Sequence, residues 1–435
     1  MTVTTCPALM ISAPASGSGK TSVTAAIARS HARRGKRVRV FKTGPDFLDP
    51  SILERASGAP VYQLDLFMGG FAHCQALLAD AARTADLILV EGVMGLFDGD
   101  PSSADLAAAF GLPVVCVIDA SAMAQTFAAL ATGLARFRPE LRHCGVVANR
   151  IGSPAHGRMV GKGLPDDLPL IAALPRAPKL IFPERHLGLV QALEQPGLDA
   201  QLDAWADAWE AALRPGFTFA PPPLPLGDAT EPPLRPLLAG RRIAIARDAA
   251  FGFIYAANVD TLRALGAELV FFSPLKHEPL PACDAAWLPG GYPELHAERL
   301  AAHPTLAAAL ARHVAIGKPL LAECGGMLAL LDELTDAAGD AHRMAGLMPG
   351  RAHVQHRLAA LGLQAIAWPE GPLRGHSYHY STLETPLAPI TTASNPNGGK
   401  TAEALYQRGS LRASYVHHYF PSNPEAVAAF FLHKA

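Results

Sequence analysis

Two short stretches of the chain hold residue types that do chemistry together. The first is Ser12-Ala13-Pro14-Ala15-Ser16-Gly17-Ser18-Gly19-Lys20-Thr21. An apolar, strand-like run precedes it and a helical pattern follows. In that context a glycine-rich loop points backbone N–H groups at phosphates, and the helix N-terminus adds its dipole. Gly17, Ser18 and Gly19 shape the loop, Lys20 reaches the β- and γ-phosphates of ATP, and Thr21 holds Mg²⁺. Pro14 stands where the strict pattern has its leading glycine, so the lysine, the threonine and the context carry the reading.

Carboxylates downstream complete a phosphoryl-transfer set. Asp46 and Asp49 lie in Lys42-Thr43-Gly44-Pro45-Asp46-Phe47-Leu48-Asp49-Pro50, and Glu91 directly follows the apolar run Leu87 to Val90. At the carboxyl end of a strand such groups bind Mg²⁺ directly or through water, so Thr21, Asp46 and Glu91 form the expected metal set. A single Asp in a Pro/Gly loop is ordinarily a turn or cap residue. The joint occurrence at strand ends is what points to phosphoryl transfer.

The second stretch is Leu320-Leu321-Ala322-Glu323-Cys324-Gly325-Gly326-Met327. It runs from an apolar strand into a helix pattern, which puts Cys324 on a sharp turn. A helix N-terminus there is expected to lower the thiol pKa and favour thiolate. Gly325 permits the turn and offers an oxyanion N–H. A second donor, at Gly291, is expected from Pro289-Gly290-Gly291-Tyr292-Pro293-Glu294. The base is expected in Val416-His417-His418-Tyr419, with His417 preferred and His418 open as the alternative. Cys116 and Cys144 read as inert packing.

These residues need a scaffold, and the texture of the chain supplies one. Strands are expected at 8–12, 38–42, 87–90, 114–118 and 145–149, with crossover helices at 20–34, 103–109 and 122–136. Such alternation is the mark of a doubly wound α/β domain. The stretch Ala220-Pro221-Pro222-Pro223-Leu224-Pro225, then Glu231-Pro232-Pro233, reads as a linker that packs neither as helix nor as inner strand. A second series of strands follows at 242–246, 268–272, 285–288 and 320–323. The expected fold is α/β in two domains: 1–215 a P-loop doubly wound parallel sheet, 216–239 a Pro-rich linker, 240–435 a second α/β domain.

Bulk composition narrows the partners. Lys plus Arg (37) and Asp plus Glu (38) nearly cancel, which leaves no basic footprint for nucleic acid. The six cysteines form no Cys-x-x-Cys pair, which suits free thiols in a reducing, cytoplasmic setting. Apolar runs are short and broken, so no membrane span is expected. The expected assembly is a homodimer.

Taken together, the chain resembles the cobyrinic acid/hydrogenobyrinic acid a,c-diamide synthase family over nearly its full length. The resemblance is carried by 16–21, Gly44 to Pro50, Glu91-Gly92-Val93-Met94-Gly95-Leu96-Phe97-Asp98-Gly99, Asn149-Arg150-Ile151-Gly152-Ser153, Glu184 to Leu189, Arg247 to Phe251, Leu288 to Glu294 and Glu323 to Gly326. It implies a dethiobiotin-synthetase-like ATP domain fused to a class I glutamine amidotransferase domain. It further implies that ATP phosphorylates the a and c acetate carboxylates of a corrin precursor, and that ammonia released from glutamine displaces the phosphate. By matching position, Asp46, Asp49, Glu91 and Asp98 fall on the ATP, Mg²⁺ and acceptor side, Asn149 falls near adenine, and His417 is the base. Tyr419 stands where other class I enzymes carry the triad glutamate, so a Cys–His dyad is implied. Gly375-His376-Ser377-Tyr378-His379-Tyr380-Ser381 departs from relatives at Ser377, and its His376, Tyr378 and His379 are expected on the substrate side.

Hydrogenobyrinic acid is the expected acceptor, by association of an Ala-, Arg- and Pro-rich composition with GC-rich aerobic bacteria. The alternatives are cobyrinic acid with cobalt already present, nickel-sirohydrochlorin and, more remotely, a partition-type regulatory ATPase.

Overall fold

The computed structural model describes residues 4–177 and 192–432, and additionally the backbone of 184–185 and 188–189. The chain divides into two compact units, Met1–Glu231 and Pro232–Ala435.

In the first unit the alternation of strands and helices expected from the sequence is present. The strands are β1 (Thr5–Ser12), β2 (Val38–Thr43), β3 (Tyr62–Leu64), β4 (Leu87–Glu91), β5 (Val114–Asp119), β6 (His143–Ile151) and β7 (Leu170–Pro175). They lie in the order β3-β2-β4-β1-β5-β6-β7, every neighbouring pair parallel. Side chains alternate between two cores, as the pleat demands. Met10, Ile88, Val90, Cys116 and Ile118 face one core together with Leu78, Leu106 and Phe127. Leu9, Ile11, Leu89, Val115 and Val117 face the other, with Val23, Ile27, Ile52, Leu202 and Trp209. Both faces are therefore covered by helices, which explains why these strands read as continuous apolar runs. The chain leaves β4 on one side of β1 and returns as β5 on the other. That reversal opens a crevice at the carboxyl ends of the central strands, where the phosphate loop sits.

Two expectations are corrected here. The helix expected from Ala122 begins at Thr126, after a turn in which the Asp119 carboxylate accepts the Ser121 N–H. The Pro-rich stretch is not wholly unpaired, since Pro223–Pro225 lies antiparallel on the first residues of β1. Pro222 O accepts the Ala8 N–H there, and Thr4 O accepts the Leu226 N–H. Leu224 and Leu226 drop into the core below. Of the motif Glu184 to Leu189, the backbone forms a two-stranded pair, Glu184–Arg185 with Gly188–Leu189. Its side chains, and residues 186–187, lie outside the described residues.

The second unit repeats the logic. Strands Glu268–Phe272, Arg242–Ala246, Ala285–Leu288, Leu320–Glu323 and Leu411–Ser414 neighbour one another in that order, all parallel. Ala404–Arg408 and Thr391–Thr392 extend the sheet antiparallel. Ala244, Ala286, Leu288 and Ala322 face one core, and Ile243, Ile245, Trp287 and Leu321 the other. A long hairpin, Ala360–Trp368 with Gly371–His379, was not anticipated from the sequence. Its second strand pairs with His417–Tyr419 and brings His376 opposite His417.

Candidate active site

In the first unit the loop after β1 enters helix α1 (Lys20–Arg33) through Gly19, whose φ of 96° suits glycine. A Cβ on Gly19 would stand 2.2 Å from Asn149 Nδ2. Asn149 donates that amide to Ser18 O (2.9 Å) and accepts the Arg150 N–H on its Oδ1 (2.9 Å), so it fixes the loop from β6. Lys20 Nζ donates to the carbonyls of Ala15 and Met94. The loop borders a cavity of about 540 Å³ whose lining includes Gly17, Gly19, Lys20, Thr21, Lys42, Asp46, Asp49 and Asn149.

Beneath it lies a buried ionic cluster. Lys42 Nζ stands 2.6 Å from Asp49 Oδ2, 2.6 Å from Glu91 Oε1 and 3.5 Å from Asp46 Oδ2. Glu91 Oε1 also accepts from the Thr21 hydroxyl (3.0 Å). Burial works against the Lys42 charge, but the three carboxylates outweigh it and hold the ammonium well above its ordinary range. Burial likewise pushes Asp49 up, yet Lys42 prevails and holds it below the usual carboxylate range. Asp46 goes the other way: burial, then the Asp49 charge, pushes it up to about 7. Burial also raises Glu91, with Lys42 opposing. Asp46 Oδ1 accepts the N–H groups of Leu48 and Asp49, so it caps the following helix as well as lining the cavity. Asp98 lies outside that lining and instead accepts the Gly95 N–H (3.0 Å), which holds the loop after β4.

Lys42 was not singled out from the sequence. The signal was present in the pleat, because Val38, Val40 and Lys42 share one face and that face is buried in Val38 and Val40.

Residues fit Mg²⁺ in a limited sense. Glu91 Oε2 is buried with no hydrogen-bond partner, and the Thr21 hydroxyl stands on the same carboxylate. Among the described residues no group of three or more His, Cys, Asp or Glu could hold a metal by itself. Mg²⁺ ordinarily takes one or two protein ligands and completes its shell with phosphate and water.

In the second unit Leu320–Glu323 runs into Cys324, which adopts φ 44°, ψ −110°, and then into the short helix Gly325–Leu328. A non-glycine residue at that φ is strained. The glycines around it are required by contact. A Cβ on Gly326 would stand 2.0 Å from Leu288 O, and one on Gly325 would stand 2.7 Å from Gly291 O and 2.9 Å from Gly291 N. A Cβ on Gly290 would stand 2.1 Å from His417 Cε1. The turn 289–294 is thus wedged between Cys324 and His417 and brings the expected cysteine, glycines and histidine together.

The two histidines differ. His418 is fully enclosed: Glu323 Oε1 accepts its backbone N–H (3.0 Å) and its ring Nδ1 (2.8 Å), and Trp368 Nε1 donates to its Nε2 (3.2 Å). Glu323 Oε2 in turn accepts from Trp287 Nε1 (3.0 Å). His417 stacks on His376 (centroids 5.0 Å, 21°), which itself meets Tyr255 Oη at 2.8 Å. Burial, then the neighbouring His376 and His418, holds His417 well below the ordinary imidazole range, so it is neutral.

The expectation of a thiolate is corrected. Burial, then Glu294, raises the Cys324 thiol, with Glu403 and Glu323 adding to it and only the Gly325 N–H opposing. A one-turn helix contributes little dipole against that. Sequence reasoning passed over Glu294, Glu403 and Glu323 as an electrostatic set, because they meet only in the fold.

Comparison with known proteins agrees with both halves. Residues 9–190 match the family described as CobQ/CobB/MinD/ParA nucleotide binding domain, and residues 242–425 the CobB/CobQ-like glutamine amidotransferase domain. The chain is 59% identical to the hydrogenobyrinate a,c-diamide synthase of Stutzerimonas stutzeri, over 99% of each chain. It is 58% identical to the Pseudomonas aeruginosa protein of the same name (99% and 98% covered) and 51% identical to the cobyrinate a,c-diamide synthase of Herminiimonas arsenicoxydans (97% and 96%). The chain belongs to the cobyrinate/hydrogenobyrinate a,c-diamide synthase family, with a nucleotide-binding domain followed by a glutamine amidotransferase domain.

Proposed function

We propose that this protein uses ATP and glutamine to amidate the a and c acetate carboxylates of hydrogenobyrinic acid. The observation that carries this is the near-full-length identity to relatives of that name, supported by a glycine-rich loop bordering a cavity in one unit and a strained cysteine turn in the other. The match to a cobyrinate enzyme supports a second reading, the same chemistry on the cobalt-containing acceptor.

A carboxylate is a poor electrophile, so it needs a leaving group. An acetate oxygen of the acceptor attacks the γ-phosphorus, ADP departs, and an acyl phosphate remains. Lys20 moves from its carbonyl contacts to phosphate oxygens, and loop N–H groups around Gly17, Ser18 and Gly19 hold the chain of phosphates. Asn149 keeps that loop in place. Lys42 keeps Asp49 charged in a buried setting and positions it with Glu91 at the cavity floor. Thr21 and Glu91, with Asp46 beside them, would hold Mg²⁺, which when bound neutralises charge on the transferring phosphoryl group.

At the other site His417 takes the Cys324 proton as sulfur attacks the amide carbon of glutamine, and returns it to departing ammonia. The N–H groups of Gly291 and Gly325 receive the developing oxyanion. Water then releases glutamate from the thioester. Ammonia attacks the acyl phosphate, phosphate leaves, and an amide results. His418, with both ring nitrogens engaged, serves to anchor Glu323. The working assembly is taken as a cytoplasmic homodimer, which light scattering checks.

The activation step is tested by trapping. Acceptor, ATP and Mg²⁺ with hydroxylamine and no glutamine should yield a hydroxamate on the corrin and one ADP per trapped group. ADP without hydroxamate would contradict acyl phosphate formation.

A further inference from the structure

The charges that act on Cys324 are carboxylates: Glu294, Glu403 and Glu323. Two of the three have a side-chain partner from elsewhere in the fold. Glu323 accepts from His418 and Trp287. Glu403 Oε1 faces His379 Nε2 at 3.0 Å, and His379 Nδ1 faces Ser381 O at 2.9 Å.

Glu294 differs. Its own backbone N–H donates to the carboxylate, and among the described residues no ion pair or side-chain donor is seen on it. Its placement is fixed by the same glycine contacts that build the elbow. Pro293 Cδ would stand 2.7 Å from a Cβ on Gly325, so the residue after Pro293 begins beside the nucleophile. The short helix Pro293–His296 carries it there.

An amino-acid substrate attacked at its side-chain amide brings a fixed α-ammonium into this space. A partly buried carboxylate without a cation is costly by itself and is relieved by one. We infer that Glu294 receives the α-ammonium of the glutamine substrate and makes the site select an amino acid over a plain amide. This rests on the reading of Cys324 as the glutamine nucleophile. Glu294 is a specificity-determining residue in this account and takes no proton in the reaction.

The test compares hydrolysis of glutamine with that of glutaramate, which has the same amide and carboxylate but hydrogen in place of the ammonium. For Glu294→Gln, kcat/KM on glutamine should fall roughly 10- to 100-fold, the scale of one charged hydrogen bond, while kcat/KM on glutaramate should hold. Alkylation of Cys324 by iodoacetamide, which lacks an ammonium, should proceed as in wild type and so report an intact elbow. Equal falls on both substrates, slowed alkylation, or an unchanged glutamine rate would overturn the inference. A wild-type protein that hydrolyses neither substrate would overturn the reading of the cysteine site itself, and this inference with it.

Discussion

Glu323, the residue before the cysteine, accepts both the backbone N–H and the ring Nδ1 of His418, at 3.0 and 2.8 Å. That single carboxylate separates two adjacent histidines that the sequence left as alternatives. His418 becomes a buried strut, and His417, neutral and set against Gly290, keeps the geometry of a base. Replacing His417 with Asn should lower glutamine-dependent amidation by on the order of 10²-fold or more and spare the ammonia-dependent reaction. Replacing His418 with Ala should leave Glu323 without its ring donor, and Trp368 Nε1 without its acceptor, and destabilise the protein by about 1–3 kcal/mol. Thermal melts and paired nitrogen-source assays distinguish the two; loss of glutamine use from His418→Ala with an unchanged melt would contradict the assignment.

Gly290 offers a test that removes nothing. Gly290→Ala puts a methyl 2.1 Å from His417 Cε1 and must displace either the turn or the imidazole. Glutamine hydrolysis should fall by at least tenfold while ATP-dependent amidation with added ammonium continues. An unaffected glutaminase would show that His417 has room to spare and no fixed role.

Lys42 is expected to be as important for folding as for phosphoryl transfer. Lys42→Met leaves Asp49 and Glu91 crowded without a cation, which should cost roughly 3–5 kcal/mol. Hydroxamate formation should be lost and glutamine hydrolysis kept. A variant with wild-type melting temperature would contradict the cluster.

Asp46 sets a pH dependence of stability whose sign can be worked out. Its folded pKa, about 7, lies above the ordinary carboxylate value of about 3.9. The folded state therefore binds more protons between those limits, and the Asp46 contribution is lost as pH rises through about 7. Asp46→Asn keeps an oxygen for the Leu48 and Asp49 N–H groups and removes the titration. It should stabilise the protein relative to wild type more at pH 8 than at pH 5, by on the order of 1 kcal/mol. Equal shifts at both pH values in chemical denaturation would refute this.

Glutamine turnover should carry an acid limb. Partial burial raises Glu294 to about 7, so the carboxylate needed for the α-ammonium is lost as pH falls through that range. The kcat/KM for glutamine should drop tenfold per pH unit below the limb, and Glu294→Gln should flatten it.

Much of this was legible in the chain. Leu87–Val90 and Val114–Ile118 read as parallel strands because both of their faces are buried, and Gly17, Gly19, Cys324 and Gly325 read as turns for the same local reasons. What stayed hidden depends on contact between distant segments. Lys42 looked like a strand-end lysine until Glu91, 49 residues later, came within 2.6 Å. The Cys324 thiol is raised by burial first and then by Glu294 and Glu403, which sequence spacing cannot bring together. Leu224 shows a local rule overridden, since a Pro-flanked leucine found a strand edge that had carbonyl acceptors to gain and a core to fill.

The central claim is tested most directly by mass. Purified protein with ATP, Mg²⁺ and glutamine should convert hydrogenobyrinic acid in two successive steps, each exchanging one acid for one amide, and should convert cobyrinic acid more slowly or not at all. Turnover of the cobalt form alone would shift the reading to the second acceptor. No amide on either, with glutamine hydrolysis intact, would contradict the proposed function.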